Sequence, residues 1–224
     1  LEGHYDAAGQ LVPDVIYSRK EALSDKASLP MVFDLTDGEV TFDFGGKEFK
    51  MLLSEAPKEL RPKALRTFLG SLATRNDILG RAIAHWRKYR EERYRSRMLV
   101  LCSTRQDARD VAAYLTHHAK MDGVVTALGD EPDAAKKLTK FRKGDGDILV
   151  TVKMAFEGFD APNISHVVAL SVERSITYLD QCLNRATRVN YDCGLPWEKQ
   201  AAYIFAPNDK AFREYVESIH DAQR

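Results

Sequence analysis

Cysteine, long apolar runs and net charge are all scarce in this 224-residue sequence. Its three cysteines, Cys102, Cys182 and Cys193, lack the spacing of a metal site, and their odd number favours a reduced chain in the cytoplasm. No apolar run approaches the roughly 20 residues that a membrane-spanning helix needs. The first ten residues, LEGHYDAAGQ, are polar and do not resemble a secretion signal. The sequence therefore predicts no membrane partner.

The absence of net charge removes any global electrostatic reason to bind nucleic acid. Lys and Arg total 33, as do Asp and Glu, so a nucleic-acid site would have to be a local patch. The basic segment WRKYREERYRSR (86–97) has two interpretations: it follows a phosphate backbone, or it is an amphipathic helix with Trp86 and Tyr89 in the core. The pair His117-His118 has no third ligand nearby in sequence, so we predict no metal site.

A regular alternation of apolar runs and helical spacing begins at residue 98. Strands are predicted at 98–102, 123–128, 147–152, 166–170 and 201–206, with helices at 105–120, 133–144, about 176–188, and 209–220. Such alternation predicts an α/β fold with a parallel sheet and helices on both faces. Before it we expect an N-terminal flank: a short helix (18–25) that Pro30 ends, a hairpin (39–52) turning at Gly45-Gly46, and segments of helical spacing up to residue 94.

Two segments carry the residues of chemical interest. Ligands of parallel sheets usually bind at the carboxyl ends of the strands, where TVKMAFEGFDAPNISHVV (151–168) follows a predicted strand and includes Glu157, Gly158 and Asp160. The second segment, YLDQCLNRATRV (178–189), sets Gln181, Arg185 and Arg188 at helical positions i, i+4 and i+7. That spacing predicts one helical face suited to a phosphate.

Three motifs in order resemble those of a known family. MLVLCSTRQDARDVAAYL (98–115), ILVTVKMAFEGFDAPNISHVV (148–168) and QCLNRATR (181–188) are similar to motifs IV, V and VI of superfamily 2 helicases and translocases. The chain resembles their C-terminal RecA-like lobe, especially in XPB-like DNA helicases and restriction-enzyme motor subunits. YSRKEALSDKASLP (17–30) resembles the segment joining the two lobes, which implies a linker at 1–30 and the lobe at 31–224. Asn184 departs from the pattern, because the family usually has glycine there.

The resemblance implies a role for each motif residue. Arg185 and Arg188 would be arginine fingers that reach ATP on the other lobe, and Gln181 would orient them or meet the phosphates. The remaining implied contacts are Glu157, Gly158 and Asp160 with the nucleotide, and Ser103, Thr104, Thr151 and Lys153 with a nucleic-acid backbone.

The sequence contains no G-x-x-x-x-G-K-[ST] segment, so only half of an ATP site is expected. The resemblance then implies that the chain alone hydrolyses nothing, that Mg²⁺ is held mainly by the first lobe, and that the partners are this lobe and a nucleic acid, DNA being favoured. One alternative is a degenerate RecA-like module that binds nucleic acid or a protein without motor activity, which Asn184 favours. A Rossmann-type enzyme is a weaker alternative, because no glycine-rich turn follows a strand.

Overall fold

Six parallel strands form the central sheet. The computed structural model describes residues 4–5, 11–12, 17–92, 95–152, 161 and 163–223. A two-stranded antiparallel pair comes first, β1 (His4–Tyr5) and β2 (Leu11–Val12). The sheet then comprises β3 (Met31–Thr36), β6 (Arg97–Cys102), β7 (Val124–Ala127), β8 (Ile148–Thr151), β9 (Ile164–Leu170) and β10 (Ala202–Pro207). Their order across the sheet is β3-β10-β9-β6-β8-β7.

Helices cover the sheet on both faces. They are α1 (Arg19–Ser24), α2 (Arg61–Gly70), α3 (Leu72–Glu92), α4 (Arg105–Ala113), α5 (Ala134–Arg142), α6 (Ile176–Leu183) and α7 (Lys210–Gln223). A π-helical turn, Tyr114–His118, extends α4. Short 3₁₀ turns lie at Leu53–Glu55, Tyr191–Cys193 and Trp197–Lys199.

Strand β6 shows why helices must cover both faces of the sheet. Met98, Val100 and Cys102 belong to the core that also holds apolar residues of α3 and α4. Leu99 and Leu101 belong to the second core, together with residues of α5, α6 and α7. Because successive side chains of a strand point to opposite faces, an unbroken apolar run fits only a sheet buried on both. The predicted α/β class is confirmed.

The flank forms a hairpin that packs on a helix. Strands β4 (Glu39–Phe44) and β5 (Lys47–Leu52) pair antiparallel, and the turn residues Gly45 and Gly46 have φ of +60° and +77°. Positive φ at both turn positions is what a two-residue hairpin requires and what glycine adopts at little cost. Phe42 of β4 and Phe68 of α2 share the first core. The hairpin prediction is confirmed.

Strand β3 is an addition that the sequence did not predict. It lies at the edge of the sheet and pairs in parallel with β10, from Met31–Ala202 to Thr36–Pro207. Only Met31 of its six residues is buried, so the segment lacks the apolar run that identified the central strands.

The basic segment 86–97 is used mostly within the fold. Trp86 is 1% exposed, and its neighbour Arg90 forms an ion pair with Asp147 at 2.9 Å. Arg97 is buried in β6 and donates to the carbonyl oxygen of Phe141. These contacts support the interpretation of the segment as an amphipathic helix that leads into a strand.

Candidate functional sites

The arginine-bearing segment is a helix end followed by a tight turn. Helix α6 ends at Leu183, so the prediction of a helix to residue 188 is wrong beyond that point. The amide of Ala186 donates to the carbonyl oxygen of Leu183 at 3.0 Å, and that of Thr187 donates to Asn184 at 3.3 Å. These bonds span three residues and not four, which tightens the backbone relative to an α-helix. We call residues 184–188 the arginine turn.

The turn still brings the three predicted side chains together. Gln181, Arg185 and Arg188 line one concavity of about 250 Å³, with Asp180 and Asn184. Gln181 and Arg188 are exposed, and Arg185 is half-buried. The convergence expected from a helical face is therefore present, although the backbone that produces it is different.

The charges of this concavity suit an anionic ligand. Two guanidinium groups and one carboxylate, that of Asp180, line it. The Asp180 carboxylate accepts a hydrogen bond from the Tyr215 hydroxyl at 2.9 Å. Planar guanidinium groups match the oxygen atoms of phosphate in geometry as well as in charge. The residues present therefore fit the phosphate groups of a nucleotide.

Cys182 lies within the same motif but packs in the core. Its side chain is fully buried, and this burial raises the pKa of its thiol to about 11, against a smaller opposing effect from the Tyr178 hydrogen bond and the Arg185 charge. A thiol of this kind stays protonated near neutral pH and is a poor nucleophile. Cys182 is therefore a packing residue.

The arginine turn lies at the amino ends of the strands. The amide of Leu29, just before β3, donates to the carbonyl oxygen of Thr187 at 2.7 Å. Arg188 also lines a small pocket with Asn163 and Ile164, where β9 begins. The concavity thus lies opposite the carboxyl ends of the strands, where the general rule for parallel sheets places ligands.

Motif V leads to this same edge. Ala161 and Asn163 of that motif come just before β9, and Asn163 lines a pocket together with Arg188. Four predicted site residues, Lys153, Glu157, Gly158 and Asp160, lie outside the described residues. Their contacts with nucleotide or nucleic acid remain predictions.

Ser103 and Thr104 stand at the opposite, carboxyl edge. Ser103 Oγ donates to the carbonyl oxygen of Leu170 at 3.3 Å and accepts from the amide of Val172 at 3.0 Å. Thr104 caps α4: its Oγ1 accepts from the amide of Asp107 at 3.1 Å and donates to the Asp107 carboxylate at 2.6 Å. These bonds fix the ends of β6 and β9 where the strand order reverses.

Two arginines of the flank lie at this carboxyl edge of the sheet. Arg66 of α2 and Arg75 of α3 line a concavity of about 350 Å³ together with Ser103, Thr104 and Asp107. Arg66 is exposed, whereas Arg75 is buried and forms an ion pair with Asp107 at 2.8 Å. Sequence reasoning missed both, because the helical spacing of α2 and α3 carries no signal for which sheet edge they approach.

Thr151 is placed differently from Ser103 and Thr104. Its side chain is fully buried, and its hydroxyl donates to the carbonyl oxygen of Ala127 at 2.8 Å. A direct contact between this hydroxyl and a nucleic-acid backbone would require that buried bond to break.

The described residues contain neither a membrane-spanning helix nor a metal-binding cluster. None of the helices there is long and apolar enough to cross a membrane. No group of three or more His, Cys, Asp and Glu side chains in that part of the chain is arranged to hold a metal ion.

Residues 75–190, just over half of the chain, match the helicase conserved C-terminal domain family. The chain belongs to this family, and its fold is that of the C-terminal RecA-like lobe of superfamily 2 helicases. The Rossmann-type alternative is therefore wrong.

This chain is similar in sequence to parts of larger known proteins. The chain is 29% identical over 178 residues to MT2985, an uncharacterized protein of Mycobacterium tuberculosis (strain CDC 1551 / Oshkosh), and the match covers 78% of this chain and 29% of that protein. It is 31% identical over 81 residues to a probable ATP-dependent RNA helicase, ddx41, of Dictyostelium discoideum, covering 35% of this chain and 12% of the helicase. The chain thus spans less than a third of the length of these relatives.

A solved structure has the same fold over almost the whole chain. It is a fragment of an HsdR subunit assigned to a type I restriction enzyme of Vibrio vulnificus YJ016. The superposition has a TM-score of 0.60 at 19% identity and covers 92% of this chain and 37% of that one.

Proposed function

We propose that this chain is the second motor lobe of an ATP-dependent helicase or translocase. The observation that carries the proposal is the convergence of Gln181, Arg185 and Arg188 in one concavity. This concavity lies beside the start of β9, which motif V includes, and beside the segment that resembles the inter-lobe linker. Membership of the helicase C-terminal domain family supports the same conclusion.

The arginine turn would supply positive charge to ATP bound on the first lobe. Phosphoryl transfer places negative charge on the transferring group, and an arginine in the cleft between lobes stabilises that charge. Arginine fingers typically contribute about 10³–10⁵ in rate. Arg185 and Arg188 take this role in the proposal, and Gln181 orients them or contacts phosphate. The P-loop and most of the Mg²⁺ coordination belong to the first lobe.

Nucleic acid would bind at the other edge of the sheet. Ser103 and Thr104 offer hydroxyl and amide groups there, and Arg66 adds an exposed positive charge. Contacts of this kind position a strand without reading its sequence. DNA is the favoured polymer, because the resemblance is strongest to a DNA-acting branch. The ddx41 relative is named as an RNA helicase, which makes RNA the necessary comparison.

The proposal is tested on the intact protein that contains this chain. We expect ATP hydrolysis that single- or double-stranded DNA stimulates more than RNA does, and no hydrolysis by the 224-residue chain alone. ATPase rates with each polymer at saturating concentration provide the measurement. An intact protein that binds these polymers and hydrolyses no ATP with any of them contradicts the motor role and favours the degenerate binding module.

A further inference from the structure

Residues 18–30 form a strap that crosses the arginine turn before the chain enters β3. The strap begins with α1, which Ser18 caps: the amide of Glu21 donates to Ser18 Oγ, and the Glu21 carboxylate accepts from the Ser18 amide. This reciprocal pattern is a capping box and gives a short helix a defined start. The strap ends at Pro30, whose carbonyl oxygen accepts from the amide of Ala202 in β10.

Hydrogen bonds connect the strap to the arginine turn at two points. Arg19 Nη2 donates to Asn184 Oδ1 at 2.5 Å, in a part-buried contact between residues 165 positions apart. The Leu29 amide donates to the Thr187 carbonyl oxygen at 2.7 Å, and Ser28 Oγ donates to the same oxygen at 3.4 Å. The two points bracket Arg185.

The strap is itself anchored to the lobe. Trp197 Nε1 donates to the carbonyl oxygen of Ser28 at 2.8 Å, and Lys26 forms an ion pair with Glu198 at 2.5 Å. The Lys26–Glu198 pair is exposed on both sides and contributes little to stability, whereas the Trp197 bond is part-buried. The strap is therefore a defined element of the fold and can hold the turn in one place.

Asn184 is the residue that makes the first of these contacts possible. Glycine, which the family usually has at this position, offers no side-chain acceptor, whereas the Asn184 amide oxygen receives the Arg19 guanidinium. A hydrogen bond from a charged donor is stronger than one between neutral groups. Asn184, which departs from the family pattern, thus has a hydrogen-bond partner in the strap.

We propose that Arg19 is a positioning residue: through Asn184 it fixes the arginine turn so that Arg185 and Arg188 face the nucleotide. The inference rests on the proposed function, since it assigns the strap a task at the same site. The strap lies in the segment that resembles the connection between the lobes, so in this proposal it links the first lobe to the arginine turn through Asn184 and Thr187.

The test compares the intact protein with Arg19→Ala, Asn184→Ala, the double variant and Arg19→Lys. Lys20→Ala is the matched control, because Lys20 is an exposed basic residue of the same helix. Two readouts are needed: hydrogen exchange at the amides of residues 184–188, and kcat and KM for ATP.

We expect Arg19→Ala and Asn184→Ala each to speed amide exchange in the turn about tenfold and to lower kcat about tenfold, with KM for ATP nearly unchanged. The double variant should match either single one, because both remove the same contact. Arg19→Lys, which keeps a cationic donor, should recover part of the loss. Lys20→Ala should behave as the unmodified protein in both readouts.

Unchanged exchange in the turn for Arg19→Ala overturns the inference, as does faster exchange with normal kcat. An intact protein without any ATPase activity contradicts the proposed function instead. In that case the exchange comparison alone decides whether Arg19 fixes the turn, so the two failures are distinguishable.

Discussion

At the scale of single residues, arginine is used in two opposite ways in this lobe. Arg188 is exposed and lines a concavity, where its charge is within reach of a ligand. Arg174 is 10% exposed and is enclosed by acceptors: its Nε lies 2.9 Å from Asp209 Oδ2, and its Nη1 donates to the carbonyl oxygens of Ser171 and Glu173. Asp209 also accepts from the amide of Phe212 and so caps α7. Arg174 therefore fixes the loop that leads into α6.

Asp209→Ala should lower the free energy of unfolding by about 3–5 kcal/mol, because it leaves a buried guanidinium group without its carboxylate. Lys50→Ala is the control: it removes the ion pair with Glu39, in which both side chains are more than half exposed, and should cost less than about 1 kcal/mol. Denaturant unfolding of the three proteins provides the comparison. Equal losses of unfolding free energy in the two variants would show that burial does not make the Arg174–Asp209 pair more important than the Lys50–Glu39 pair.

Sequence spacing predicted which residues converge but not the backbone that carries them. Gln181, Arg185 and Arg188 meet in one concavity as expected. Neither glycine nor proline lies between Leu183 and Arg188 to signal where the helix ends. Its end coincides with bonds from Leu29 and Arg19, which are distant in sequence and invisible to local spacing.

At the scale of elements, α3 and β9 are joined by a buried polar chain. Trp86 Nε1 donates to Ser96 Oγ at 3.1 Å, Ser96 Oγ lies 2.5 Å from Ser165 Oγ, and Ser165 Oγ lies 2.7 Å from Nδ1 of His166. His166 Nε2 then lies 2.8 Å from Nδ1 of His85. Burial, with a smaller contribution from the nearby His85, lowers the pKa of His166 to about 2. Neutral His166 therefore links the helix to the strand.

This chain of hydrogen bonds predicts acid sensitivity. Burial also lowers the pKa of His85, with Asp34 opposing and Lys88 adding to the shift. Because the folded state binds the proton less readily than the unfolded state, stability is lost as pH falls below about 6.5 towards 2. Between pH 6.5 and 5.5, His166 alone should cost about 1 kcal/mol of unfolding free energy. Denaturant unfolding across this range measures the slope.

His166→Leu should flatten that slope, since leucine fills the site without a titrating group. Its stability at pH 7.5 is expected to fall as well, because Ser165 and His85 lose their shared partner. An identical slope in His166→Leu would show that the acid sensitivity arises elsewhere in the chain.

The central strands were predictable from the sequence and the edge strand was not. The runs that form β6, β8 and β9 are wholly buried, and an apolar run of this length between turn residues is typical of a strand covered on both faces. Strand β3 contains polar and half-buried residues, such as Asp34, because one side of an edge strand faces solvent. Its pairing with β10 depends on a segment about 170 positions away and follows only from the folded chain.

At the scale of the whole molecule, the two candidate sites occupy opposite edges of one sheet. The arginine turn lies at the amino ends of β3 and β9, and Ser103 and Thr104 lie at the carboxyl end of β6. Strands β6 and β9 are hydrogen-bonded neighbours with their side chains buried on both faces. In the proposed function, a sheet packed on both faces would move as one body, so that a displacement at the arginine turn is passed on to Ser103 and Thr104.

The measurement that tests the account most directly is the ATPase rate of the intact protein carrying Arg185→Ala or Arg188→Ala. Arg142→Ala is the control, since Arg142 is an exposed arginine at the end of α5. We predict that each arginine-turn variant lowers kcat by about 10³-fold or more while ATP affinity stays nearly normal, and that Arg142→Ala changes neither. Normal turnover in both arginine-turn variants would contradict the assignment of this concavity to ATP.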